Sequence, residues 1–285
     1  MITKTQFSIR SVNDVDQREV ANLIHFETHV HRHLDWRPPL EWIGCDPFLV
    51  AEENGNIVAT LACPPDNTNT AWIRLFASAA NVPQKKLWDA LWIEARTQLI
   101  GQNEIVWAAA IPLQPWFKTL VKEVGYEETQ KVVLLDWENG DLPPDRPHPE
   151  VRIETMTVDD LECVHQIDEL SFAPIWINSR NSLEHAFKQA SVATVGIIDR
   201  RIIGYQISTA TPVGGHLARL AVHPEHQAQG IGYAILRDLL QRFEHRESRR
   251  ITVNTQQDNL ASLALYKKAG FNLTGEQYPV YVYSI

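Results

Sequence analysis

The sequence predicts an α/β protein made of two tandem domains, each a mixed, mostly antiparallel sheet flanked by helices. Three observations carry that expectation. At 285 residues the chain is long for a single hydrophobic core. Residues 138–150, ENGDLPPDRPHPE, hold four prolines and a glycine and can continue neither a helix nor a central strand. They read as a linker between domains at 1–137 and 151–285. The two halves also repeat: Ile57-Val58-Ala59, Arg74-Leu75 and Gly125-Tyr126 recur 145 positions later as Ile202-Ile203-Gly204, Arg219-Leu220 and Gly270-Phe271.

Composition fits a folded, soluble chain, with 44% hydrophobic and 21% charged residues. A formal net charge of −9 argues against a nucleic-acid-binding surface. The first residues, MITKTQFSIR, have no apolar targeting core, and no apolar run reaches the ~18 residues of a membrane span. Cys45, Cys63 and Cys163 are odd in number and show no metal-ligand spacing, as expected of reduced thiols in a cytoplasmic protein.

Taken in order, residues 15–33 begin as a helix with Val20, Leu23 and Ile24 on one face. His25, His29, His31 and His33 invite a metal hypothesis, but no carboxylate or cysteine completes a ligand set, so they read as a solvated helix end. No metal is expected. FLVAEENGNIVATLAC, residues 48–63, is a hairpin around Asn54-Gly55, and Leu87, Trp88, Leu91 and Trp92 mark a later helical face. Trp36, Trp42, Trp72, Trp88, Trp92, Trp107, Trp116 and Trp137 read as packing residues. In the second half Thr157 caps a helix with acidic residues in its first turn, and SLEHAFKQA, residues 182–190, reads as another helix. A hairpin around Asp199-Arg200-Arg201, the strand HLARLAV, a glycine loop and a helix follow. The strand ITVNT, a second helix and a terminal pair FNLTGE/YPVYVYS complete the half, and the sheet is expected to splay open near Val222.

The stretch LAVHPEHQAQGIG, residues 220–232, carries the chemistry. A short strand stops at His223-Pro224, and Gly230 and Gly232 open a helix whose apolar face is Ile235, Leu236, Leu239, Leu240 and Phe243. Unpaired backbone N–H groups and the helix dipole make such a junction an anion site, and glycine lets a phosphate approach the main chain. A phosphate-bearing ligand is expected.

Gln227-Ala228-Gln229-Gly230-Ile231-Gly232 resembles the acyl-CoA-binding motif of the GNAT superfamily of N-acetyltransferases. A second block at the family's spacing follows in NLASLALYKKAGF, with Asn259, Ser262, Leu265, Tyr266, Gly270 and Phe271. The resemblance implies acetyl-CoA as cosubstrate, its pyrophosphate held by the backbone of residues 227–232 with Tyr233 beside it, and Asn259 and Ser262 near the CoA. It implies that Leu220, Ala221 and Val222 pair through their backbone with the pantetheine arm, and that Tyr266 is the acid for the departing thiolate. The base position of many family members falls on His216, whose imidazole suits that task near pH 7; an ordered water chain, the amine's own ionisation and Glu225 beside the loop are the alternatives. The region between the first strand and the hairpin would line the acceptor pocket.

The 145-residue offset sets Lys85 and Leu87 in the places of Gly230 and Gly232, and Val121 and Gln114 in those of Tyr266 and Asn259. The first domain is thus expected to keep the GNAT-like core without its CoA site. The reading is an acetyl-CoA-dependent N-acetyltransferase acting by direct attack of a primary amine, on a small molecule or a peptide, in a ternary complex. Two alternatives stand beside it: a non-catalytic acyl-CoA sensor, and a protein N-terminal acetyltransferase of the ribosomal-protein alanine type that docks its substrate on the first domain. Nucleic acid and membrane are not expected partners, and oligomeric state is left open.

Overall fold

The computed structural model describes residues 7–66, 69–102, 104–138, 142–145, 150–246 and 250–285. Most of the 138–150 linker expectation falls outside the described residues. The chain divides into two units, Met1–Thr129 with Tyr278–Ile285, and Gln130–Gln277. Each unit thus completes its sheet with a strand lying beyond the linear half that supplies the rest.

The first unit runs β1 (Ser8–Ser11), α1 (Gln17–Phe26), β2 (His29–Arg32), β3 (Phe48–Glu53), β4 (Asn56–Ala62), β5 (Thr70–Trp72), β6 (Leu75–Ser78), α2 (Gln84–Gly101), β7 (Trp107–Ala110) and α3 (Pro115–Glu123). Strand β8 (Glu127–Glu138) then leads into the second unit. There follow β9 (Arg152–Thr155), α4 (Leu161–Ser171), α5 (Arg180–Gln189), β10 (Val192–Ile198), β11 (Arg201–Thr211), β12 (Gly214–Val222), α6 (Ile231–Glu244), β13 (Arg250–Gln256), α7 (Leu260–Lys268) and β14 (Asn272–Ser284). The terminal pair expected from sequence is this one long strand, with Gly275 at φ 88° absorbing a bend where the sequence suggested a turn.

Both hairpins form as their sequences require. Asn54 and Gly55 (φ 53° and 80°) and Asp199 and Arg200 (φ 47° and 65°) take the paired positive φ of a two-residue turn that matches strand twist. The capping box at the second unit's entry is also present, with Thr157 and Asp160 bonding reciprocally.

In the first unit the sheet order is β1-β3-β4-β6-β2, while β7 pairs parallel with β5 and antiparallel with Tyr281–Ser284 of β14. Its core gathers Phe76, Trp88, Trp92, Phe117, Tyr126 and Tyr281. In the second unit the order is β8-β13-β12-β11-β10-β9, with β12 and β13 parallel and the other pairs antiparallel. Helix α6 buries Leu236, Leu239, Leu240 and Phe243 against Leu217, Ile251, Val253 and the β8 residues Val133, Leu135 and Trp137. Gly215 is required there, because an added Cβ would stand 2.9 Å from the Phe243 ring.

The histidines of the first unit do not form a solvated helix end. Helix α1 stops at Phe26, and His29 and His31 lie on β2. His31 is fully buried, stacked on Phe117 at 3.8 Å with Nε2 3.1 Å from the Ile73 carbonyl, and His33 stacks on Trp72. Period-two spacing puts His29, His31 and His33 on one side of an extended chain, where aromatic packing claims them. No group of metal-ligating side chains occurs among the described residues, and no helix among them is long and apolar enough to cross a membrane.

Burial pushes the His31 imidazole down to about 3. In the unfolded chain it titrates near the ordinary value of about 6.5, so between the two values the unfolded state binds the extra proton. This contribution to stability is complete above about pH 6.5 and falls by about 1.4 kcal/mol per pH unit below it. Replacing His31 with Gln should flatten this acid dependence in urea-unfolding curves recorded from pH 7 to 4.

Candidate acyl-CoA site

Strand β12 organises the site. It pairs with β11 along its length, but with β13 only at Gly215, His216 and Leu217. Ser208 opposes Leu217 and Ile207 opposes Arg219, so Ala218 is an extra residue with no partner on β11. The sheet therefore opens after Leu217 and not near Val222, because the bulge bends β12 away from β13. Beyond it, Leu220, Ala221 and Val222 have no partner strand on the β13 side. The bulge also reverses the faces. Leu217 packs into the α6 cluster, whereas Arg219 turns toward α4.

The glycine loop continues that edge. After a short turn at Pro224–His226, Gln227 Nε2 donates to the Val222 carbonyl at 3.0 Å and Gln229 Nε2 to the Glu225 carbonyl at 3.0 Å. Ala228 and Gly230 are left-handed (φ 59° and 94°), and nothing lies within 4 Å of a Cβ built on Gly230. Ala234 N–H donates to Gly230 O at 3.0 Å, so the N–H groups of Ile231, Gly232 and Tyr233 precede the ladder of α6 and lack acceptors in it. A Cβ on Gly232 would meet Leu265 at 3.4 Å, which keeps α6 and α7 close. The Tyr233 side chain turns inward, its hydroxyl donating to Pro144 O at 2.9 Å, while Arg237 Nε bonds Pro143 O at 3.2 Å. The described part of the linker thus packs on α6. A backbone cradle for a phosphate group, with side chains that shape the loop, is what residues 227–233 provide.

Asn259 caps α7, its Oδ1 accepting from Ser262 N–H at 3.1 Å. One turn on, Tyr266 is buried against Phe271. Burial raises its hydroxyl well above the ordinary phenol value, with the charge of Arg219 acting the other way. His216 is half-buried on the paired part of β12, and burial lowers its pKa. Its Nδ1 lies 2.8 Å from Thr252 Oγ1, whose own proton points to Gly215 O at 3.4 Å. In that arrangement Nδ1 carries the proton and Nε2 keeps a free lone pair.

Sequence reasoning used Arg219 only as a repeat marker, but it is the most connected polar side chain of the site. Its Nε and Nη2 bond both oxygens of the fully buried Asp168 at 2.7 and 2.8 Å, and Nη2 reaches Trp176 O at 2.6 Å. The guanidinium stacks 3.4 Å from the Phe172 ring centre. Tyr205 Oη and Asn178 N–H complete the carboxylate's acceptor positions. The available signal was an arginine inside the otherwise apolar run HLARLAV.

The first unit builds the same corner and fills it. Leu75–Ser78 occupy the repeat positions of Leu220–His223, and β2 pairs antiparallel along the edge of β6 that faces away from β4. Where the second unit leaves an edge free, the first has His29–Arg32 in place, wedged against α3 by the His31–Phe117 stack. Leu87, at the place of Gly232, is buried core, and Lys85, at that of Gly230, pairs with Asp89 at 2.6 Å.

A model of the acetyltransferase (GNAT) family matches residues 154–271. An Escherichia coli ribosomal protein bS18-alanine N-acetyltransferase is 38% identical over 56 residues, 20% of this chain and 38% of its own length. A Bacillus subtilis protein carrying the same activity name is 22% identical over 125 residues, 43% of this chain and 82% of its own. A solved tandem GNAT protein from the clavulanic acid biosynthesis pathway has the same fold over 98% of both chains, at 17% identity and a TM-score of 0.62.

The His216 assignment has a direct check. Nitrogen-15 spectra should show the Nδ1–H tautomer at neutral pH with a titration midpoint below about 6.5, and Thr252→Val should shift the tautomer balance toward Nε2–H.

Proposed function

We propose, because residues 154–271 match a model of the acetyltransferase (GNAT) family, that the second unit transfers an acetyl group from acetyl-CoA to a primary amine in the cytoplasm, by direct attack in a ternary complex. The observation that carries this reading is a strand edge, Leu220-Ala221-Val222, which has no partner strand on the β13 side and leads through the Pro224–His226 turn into the N–H cradle at Ala228–Tyr233. Acetyl-CoA, when bound, supplies an acyl group already activated as a thioester.

The chain's own residues do the rest. The cradle N–H groups receive the pyrophosphate, and the free edge of β12 aligns the extended arm, which converts an encounter into a held geometry. His216 Nε2 accepts the proton that the amine must lose, since burial keeps the ring neutral near pH 7. Tyr266 Oη stays protonated throughout the physiological range and holds the proton that the leaving group needs. The first unit binds no acetyl-CoA in this reading, because β2 already occupies the corresponding edge.

The bS18-alanine relatives favour a second reading of the acceptor, in which the amine is the N-terminus of a protein chain.

Calorimetric titration of the full chain with acetyl-CoA should give one site per chain, lost in Gly230→Trp. Two sites would place binding in the first unit as well, and none would sink the acetyltransferase reading. Tyr266→Phe should lower kcat by about 100-fold while the acetyl-CoA Kd stays within about 2-fold.

A further inference from the structure

We propose that Arg219 is a positioning residue that pins the segment Phe172–Asn178 over the bulged strand as the wall of the acceptor site; this rests on the acetyltransferase reading above. An amine must reach the free edge of β12, and one face of that edge is closed by α6, α7 and their shared core. The other face, toward which Arg219 turns, is the approach left to it. Along that face runs the connection between α4 and α5, residues 172–179. Arg219 Nη2 holds the Trp176 carbonyl at 2.6 Å, the guanidinium carries the Phe172 ring at 3.4 Å, and Asp168 holds the Asn178 N–H at 2.9 Å. Ser171 Oγ donates to the Val222 carbonyl at 3.1 Å, the same carbonyl that Gln227 Nε2 holds from the glycine loop. Donor loop and acceptor wall are therefore tied to one strand end.

The repeat supplies an independent observation. The corresponding arginine, Arg74, also stands at a break in its strand, between β5 and β6. It too is buried, bonds an aspartate (Asp35, 2.8 Å) and stacks on an aromatic ring (Trp42, 4.7 Å). Yet Leu23, not an aspartate, occupies the repeat position of Asp168. The arrangement persists with a different aspartate in a unit whose edge is filled, so the arginine's task is to hold neighbouring chain onto the strand break. In the second unit the chain so held faces an open edge.

Arginine's planar fork is what this task needs: it makes two parallel bonds to Asp168, a third to Trp176 and a stacked face at once, whereas a lysine ammonium supplies charge without the fork. The test compares Arg219→Lys with Arg74→Lys in the full chain. In Arg219→Lys the Trp176 and Asn178 amides should exchange with solvent about 10-fold faster or more. The KM for an alanine-initiated hexapeptide should rise by about 10-fold while the acetyl-CoA Kd, read by calorimetry, moves less than about 3-fold. Arg74→Lys should leave all three unchanged. If Arg219→Lys does not fold, Phe172→Leu, which removes only the stacked platform, should show the same pattern at smaller amplitude. Unchanged exchange at Trp176 and Asn178 overturns the proposal. So does faster exchange with an unaltered peptide KM, or a loss of acetyl-CoA affinity equal to the KM change. Failure of the wild-type chain to bind acetyl-CoA would defeat the enzymatic reading instead, and exchange would still decide whether Arg219 holds the segment.

Discussion

One extra residue governs the second unit. Ala218 has no partner on β11, and that irregularity bends β12 off β13, frees the edge at Leu220–Val222 and turns Arg219 to the face opposite Leu217. A regular strand here would keep its parallel neighbour to the end and bury its N–H and C=O groups in a ladder. The site exists because that ladder stops. What keeps the opening from collapsing is polar and local: the Arg219–Asp168 pair on one face, and the Gln227 bond to Val222 O at the strand's end. A fully buried carboxylate is costly unless every acceptor position is used, and Asp168 meets that requirement with Arg219, Tyr205 and Asn178.

The first unit shows such an opening covered by the chain itself. An exposed strand edge with unpaired backbone groups is a liability, and here the chain's own β2 covers it. The fit is completed by aromatic packing, with His31 between the β6 edge and Phe117, and Trp88 and Phe76 behind. The first unit has neither glycine at the repeat positions and has β2 on the edge. Leu87 and Pro83 close the loop from which a phosphate would be held, and β2 takes the edge along which an arm would lie.

Much of this was legible in the chain, for identifiable reasons. Gly230 and Gly232 stand out because they open a helix straight after a strand, and the Asn54-Gly55 turn because paired positive φ has few sequence solutions. The 145-residue offset reads through both units because the core positions and the two arginines keep it. The bulge at Ala218 was not legible: alanine, unlike glycine, announces no irregularity, so the opening was expected four residues too late. The histidines were misread because a 3.6-residue period and a two-residue period both fit a run this short. Arg219 was seen without its partners, because Asp168 is 51 positions away on another element.

The first unit is compact in space but not continuous in the chain. Tyr281 belongs to the first unit's core, against residues of β7 and α2. During synthesis, therefore, the unit that holds residues 1–129 waits for residues 278–285, while the second unit has all its residues by Gln277. Of the two units the earlier to emerge is the later to be completed, and until then its β7 edge has no cover from β14. Synthesis order thus favours a chain in which the second unit settles before its counterpart can close.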